Sequence, residues 1–82
     1  MHLFPNPAGD YVVADFNTIE LGGQGRIIIS DLQGSKIENI RLNSEQNQQV
    51  IDLSTNPNGI YLINLYVNDK LMASEKLSKG SK

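Results

Sequence analysis

Residues 58–69 read Asn58-Gly59-Ile60-Tyr61-Leu62-Ile63-Asn64-Leu65-Tyr66-Val67-Asn68-Asp69. From Ile60 to Val67 the run is nearly continuously apolar, with β-branched and aromatic side chains that suit a pleated surface. It reads as the longest apolar strand of the chain, placed centrally with both faces partly covered. The breakers Ser54-Thr55-Asn56-Pro57-Asn58-Gly59 precede it. Asn68-Asp69 closes it as a two-residue hairpin turn, since Asn and Asp tolerate positive φ at little cost. A last strand then returns from Lys70 to about Leu77, with residues 80–82 expected to fray.

The same punctuation extends upstream. Arg26-Ile27-Ile28-Ile29-Ser30 is the strongest strand signal, because three successive isoleucines resist helix at χ1. Asp31-Leu32-Gln33-Gly34 reads as a tight turn with Gly34 in the left-handed position. The chain returns through residues 35–42, with Ile37, Ile40 and Leu42 open to burial and a bulge expected near Glu38-Asn39. Residues 48–53 form a shorter strand with Ile51 and Leu53 inward. Tyr11 to Phe16 form another, with Val12, Ala14 and Phe16 inward, and Leu3-Phe4 supply a short first strand. Turn signals every ~8–12 residues predict one all-β domain over residues 1–82, a sandwich of six or seven short, mostly antiparallel strands. No helix is called for: residues 20–26 and 43–49 are too short and polar to be amphipathic.

Composition narrows the function classes. Eighty-two residues make one small domain, and with no cysteine it has neither disulfides nor thiolate metal ligands. The net charge of −2 is no footprint for nucleic acid. It is unevenly spread: residues 70–82 carry a net +3 and the remainder −5. No apolar run approaches the ~18–20 residues of a membrane-spanning helix. The opening Met1-His2-Leu3-Phe4-Pro5 lacks the features of a signal peptide, so an exported form would carry its export signal on a longer precursor.

No catalytic, metal or cofactor site is read from the sequence. His2, the single histidine, lies at a chain end without a group to orient it. Asp10, Asp15, Asp31, Asp52 and Asp69 sit at strand ends and turns, where such side chains bond local backbone, and no dense acidic loop gathers calcium ligands. Gly22-Gly23-Gln24-Gly25 reads as a hairpin loop, since no Lys-Ser/Thr and no helix follow as in a phosphate cradle.

Four segments in fixed order carry a resemblance. They are Phe4-Pro5-Asn6-Pro7-Ala8, Ile29-Ser30-Asp31-Leu32-Gln33-Gly34, Asn58-Gly59-Ile60-Tyr61-Leu62-Ile63, and Glu75-Lys76-Leu77-Ser78-Lys79. Each occurs singly by chance. In this order and at these intervals, over essentially the whole chain, they resemble the type A C-terminal sorting domain of the type IX (Por) secretion system. That resemblance implies an immunoglobulin-like sandwich at the C-terminus of a covalently linked N-terminal cargo. The cargo would cross the periplasm of a Gram-negative bacterium and be taken over the outer membrane by translocon and shuttle proteins. A sortase-like cysteine protease would then cut ahead of the sandwich, in a linker upstream of Met1. The cargo would end at the cell surface or outside, in many cases joined to anionic lipopolysaccharide.

The residues assigned to the sorting motif are Pro5, Asn6, Pro7, Asp31, Gly34, Asn58, Gly59, Tyr61, Lys76, Leu77 and Lys79. Pro5 and Pro7 are expected to stiffen the point where the linker leaves, and Tyr61 to bury its ring with its hydroxyl at the rim. The strand from Lys70 through Lys79 is expected to be an exposed edge with spaced lysines, the surface a partner reads. Unpaired edges also leave room for an edge-strand homodimer. Asn56 stands where the family often has leucine, which would loosen that turn. The competing reading from another class is a carbohydrate- or protein-binding sandwich, with Tyr11 and Tyr66 as its exposed aromatics.

Overall fold

A computed structural model of the chain describes residues 1–16, 22, 24–43 and 45–80. Seven strands follow one another: β1 (His2–Phe4), β2 (Tyr11–Asp15), β3 (Gly25–Asp31), β4 (Lys36–Leu42), β5 (Gln48–Asp52), β6 (Gly59–Val67) and β7 (Lys70–Lys79). They form a three-stranded sheet, β1-β2-β5, and a four-stranded sheet, β4-β3-β6-β7, with every strand pair antiparallel. Among the described residues there is no helix. The architecture is an immunoglobulin-like sandwich. β1, β2 and β5 stand as its A, B and E strands, and β3, β6 and β7 as C, F and G. β4 pairs with β3, so it extends the C-F-G side.

Alternation on each strand builds the core. Val12 and Ala14 of β2, Ile51 of β5, Ile27 and Ile29 of β3 and Ile63 and Leu65 of β6 are all buried between the sheets, with Phe16 and Leu53 at the flanks. β6 occupies an interior place, bonded to β3 and β7, as its apolar run predicts. Its second face is half covered: Ile60, Leu62, Asn64 and Tyr66 alternate with the buried row.

The turns follow their residue chemistry. Asn68 and Asp69 both have positive φ, 52° and 66°, as a primed two-residue hairpin requires. Gly34 sits at φ 89°, with the Asp31 carboxylate accepting from the amides of Gln33 and Ser35. The Gly22–Gly25 segment, of which Gly23 lies outside the described residues, is not a hairpin loop: it leads from β2 in one sheet to β3 in the other, Gly25 already opens β3, and Gln24 exchanges hydrogen bonds with Asn68.

Three expectations need correction. The β4 irregularity lies earlier than Glu38-Asn39: Ile29 pairs with Glu38 and Ser30 with Lys36, so Ile37 is the extra residue. Released from the alternation, Ile37 is exposed. The last strand runs two residues past Leu77, because Lys79 pairs with Gly59. Asp69 does not bond local backbone; it forms an ion pair at 2.6 Å with Arg26 of β3, the strand on the other side of β6.

Burial sets the expected mutational contrast. Ile63→Ala should cost about 2–5 kcal/mol, much of the stability of so small a domain. Ile37→Ala should stay within about 0.5 kcal/mol. Urea unfolding of the two variants measures the difference, and equal losses would contradict the inward row.

Candidate functional site

The strand registers bring the four motif segments to one end of the sandwich. Asp31, closing β3, pairs with Tyr61; Tyr61 pairs with Leu77; and Gly59 pairs with Lys79. Lys79 in turn bridges to Ala8, so the stretch after β1 lies against the end of β7. The amide of Ala8 donates to Ser78 O at 2.8 Å, and the amide of Gly80 donates to Ala8 O at 2.9 Å. Asn6 completes this clamp with both ends of its side-chain amide: Nδ2 donates to Lys76 O at 3.2 Å, and Oδ1 accepts from the Ser78 amide at 3.1 Å.

Two ties fix the connection between β5 and β6. The Tyr61 ring is buried and its hydroxyl donates to Pro57 O. A tyrosine at the start of the F strand, bonding backbone a few residues upstream, is the tyrosine corner of immunoglobulin-like sandwiches. Where antibody domains place a cysteine two residues later, this chain has Ile63. The second tie is Lys79, whose Nζ donates to Asn56 O at 2.7 Å. Asn56 therefore stands in a pinned turn, its amide also donating to Leu53 O at 2.9 Å. Gly59 leaves that turn with φ 154°, a value that suits glycine.

The assigned residues thus fall into two adjoining groups. Pro5, Asn6, Pro7, Lys76, Leu77 and Lys79 make the clamp on β7. Asp31, Asn58, Gly59 and Tyr61 line a groove of about 330 Å³ between the β3–β4 turn and residues 57–61. Gly34 shapes that same turn from beside it. Pro5 and Pro7 do not direct the linker. β1 pairs His2 with Asp15, so the chain enters at the far end of the sandwich, and the prolines turn it toward β7 afterwards. Both preceding peptide bonds, Phe4-Pro5 and Asn6-Pro7, are cis.

β7 is an edge strand, as expected, but its rim is divided. Residues 6–8 cover the part from Lys76 to Lys79. Along Lys70–Glu75 the rim is open, with Leu71 and Met72 exposed beside a register shift opposite Leu65/Tyr66. Lys70 and Lys76 are exposed, whereas Lys79 is 9% exposed and turned to Asn56. Sequence reasoning missed that inward lysine, since nothing in Glu75-Lys76-Leu77-Ser78-Lys79 distinguishes one lysine from the other.

No group of three or more His, Asp or Glu able to hold a metal exists among the described residues. Tyr11 and Tyr66, the aromatics of the competing reading, lie on different sheets. Tyr66 is occupied by Arg26, whose guanidinium carbon stands 5.2 Å from the ring centroid. Asp52 closes β5, and its carboxyl is held below its ordinary range by the Ser54 backbone amide and then the Ser54 hydroxyl.

Asn6→Ala should remove the side-chain acceptor of the Ser78 amide and cost about 1 kcal/mol. Hydrogen exchange at Ser78 should accelerate while exchange at Ile63 keeps pace with global unfolding; unchanged exchange at Ser78 would dissolve the clamp. Because the Asp52 carboxyl is depressed in the folded state, its contribution is present at neutral pH and lost as pH falls through the lowered value. The thermal midpoints of wild type and Asp52→Ala should therefore converge on acidification, and a gap that persists in acid would exclude the Ser54 contact as its cause.

Comparison with curated proteins finds no match. The family model described as the secretion system C-terminal sorting domain matches residues 2–79, a span that includes all four converging segments. The chain belongs to the family of type IX secretion system C-terminal sorting domains.

Proposed function

We infer that this chain is a sorting unit, residues 1–82, carried at the C-terminal end of a larger exported cargo. Family membership makes it a C-terminal type IX sorting signal, which implies contact with that machinery and delivery to the cell surface or the extracellular space. The finer reading is ours. Translocon and shuttle proteins meet the folded unit in the periplasm. A sortase-like cysteine protease removes it on the outside, and the cargo is released or joined to anionic lipopolysaccharide.

One observation carries this reading: the four motif segments gather at the end of the sandwich opposite the end where the chain enters. A cargo attached ahead of His2 therefore hangs away from them. Beside them runs the open rim of β7, where unpaired backbone groups, Leu71 and Met72 and the charge of Lys70 and Lys76 are presented together. An extended partner segment adds to such a rim through main-chain hydrogen bonds. Lys79 has its ammonium committed to Asn56, so its part is to hold the motif end together.

The test attaches the unit, with its natural upstream linker and a general export signal, to a fluorescent protein in a type IX-competent host. The expected outcome is fluorescence outside the cell with the sandwich removed. Retention in the periplasm would overturn the sorting reading, and external delivery of the intact fusion would overturn the processing step. Deleting residues 76–82 would be uninformative, because Leu77 is fully buried and its loss unfolds the domain. Lys70→Glu with Lys76→Glu is the cleaner variant: delivery should fall several-fold while stability stays within about 1 kcal/mol. Undiminished delivery would remove those charges from the recognised surface.

A further inference from the structure

The outer face of the larger sheet holds a second basic feature, separate from the β7 rim. Three of the chain's seven lysine and arginine residues, Arg26, Lys36 and Arg41, line one groove of about 360 Å³ with Gln24, Gly25 and Asn39. None of the six is acidic, although carboxylates outnumber basic residues in the chain. Glu38, the carboxylate of β4, pairs with Ile29 and belongs to the opposite face.

The pairing within this groove is unfavourable unless something else enters it. Arg26 and Arg41 are register partners on adjacent antiparallel strands, which puts their Cβ atoms about 5 Å apart on one face. Like charges so placed destabilise a sheet. Arg26 is partly relieved by Asp69 at 2.6 Å and by the Tyr66 ring. Among the described residues, Arg41 and Lys36 take no counter-ion. Counting Asp69, the groove and its support keep a net charge of about +2.

We propose that this groove binds phosphoryl groups. A phosphate carries up to two negative charges and matches the excess. Arg41 supplies a planar fork for one phosphate, a geometry that a lysine would not offer, while Arg26, drawn toward Tyr66 and Asp69 on the β6 side, adds positive charge along the groove wall. Lys36 lies roughly 15 Å along β4 from Arg41, counting about 3.3 Å per residue, so it meets a second anionic group or the far side of a larger one. Gln24 and Asn39 add amide donors and acceptors between the cations. The proposal is independent of the sorting reading, since neither the clamp nor the β7 rim contributes to the groove.

The test titrates the isotope-labelled chain at low salt with tripolyphosphate, and separately with phosphatidylcholine vesicles made with and without phosphatidate. The expected result is saturable amide shifts confined to residues 24–26 and 36–41. Arg41→Gln should weaken binding about tenfold without lowering the thermal midpoint, because the variant removes a like-charge pair. A merely structural arginine would lower the midpoint instead. Binding to tripolyphosphate alone assigns a soluble ligand, and retention only by phosphatidate vesicles assigns a lipid headgroup. Shifts that fall on β7, or Arg41→Gln with wild-type affinity, or no saturation by either probe, would overturn the site.

Discussion

β6 is the strand on which everything else rests. It is bonded on one side to β3 and on the other to β7, and its inward row of Tyr61, Ile63, Leu65 and Val67 faces the smaller sheet. A chain of this size has little core to spare and no disulfide to supplement it. The position where antibody domains place a cross-linked sulfur is filled by Ile63, so packing must do what a covalent bond does elsewhere. The tyrosine corner belongs to the same strand. One residue both fills the core with its ring and, through its hydroxyl, holds the turn that precedes it.

From β6 the register carries order outward to the motif end. Asp31, Tyr61 and Leu77 are successive neighbours across three strands, Lys79 pairs with Gly59 further along β7, and Ala8 and Asn6 continue beyond the edge. The motif residues are therefore structural and exposed by turns. Leu77 and Tyr61 are buried, Lys79 is spent inside, and Asn58, Lys76 and the prolines face solvent. A partner that reads this end reads a surface whose shape exists only when the buried members are in place.

Much of this was legible from residue types alone. β-branched runs, alternation and the Asn68-Asp69 and Asp31–Gly34 turns located the strands, and alternation named the inward residues of β2 and β5. Legibility stopped where an interaction joins distant residues. The broken alternation of Ile37, Ile40 and Leu42 announced a bulge, but its place at Ile37 depends on how β4 meets β3. Lys79 and Lys76 look alike in sequence, yet strand alternation turns one toward Asn56 and leaves the other in water. The prolines were read as a linker device because their order along the chain does not reveal that β1 comes back alongside β2. Their stiffness serves a crossing from one sheet to the edge of the other.

The clamp joins Asn6 to Lys76 and Ser78, contacts separated by 70 and 72 positions along the chain. Its two halves come together only once β7 has been synthesised. A chain truncated before Ser78 loses the Asn6 and Ala8 hydrogen bonds and the last pairs of β7 together. The clamp thus reports on its own last strand: a chain that stops within β7 cannot hold residues 6–8 against the edge of the larger sheet.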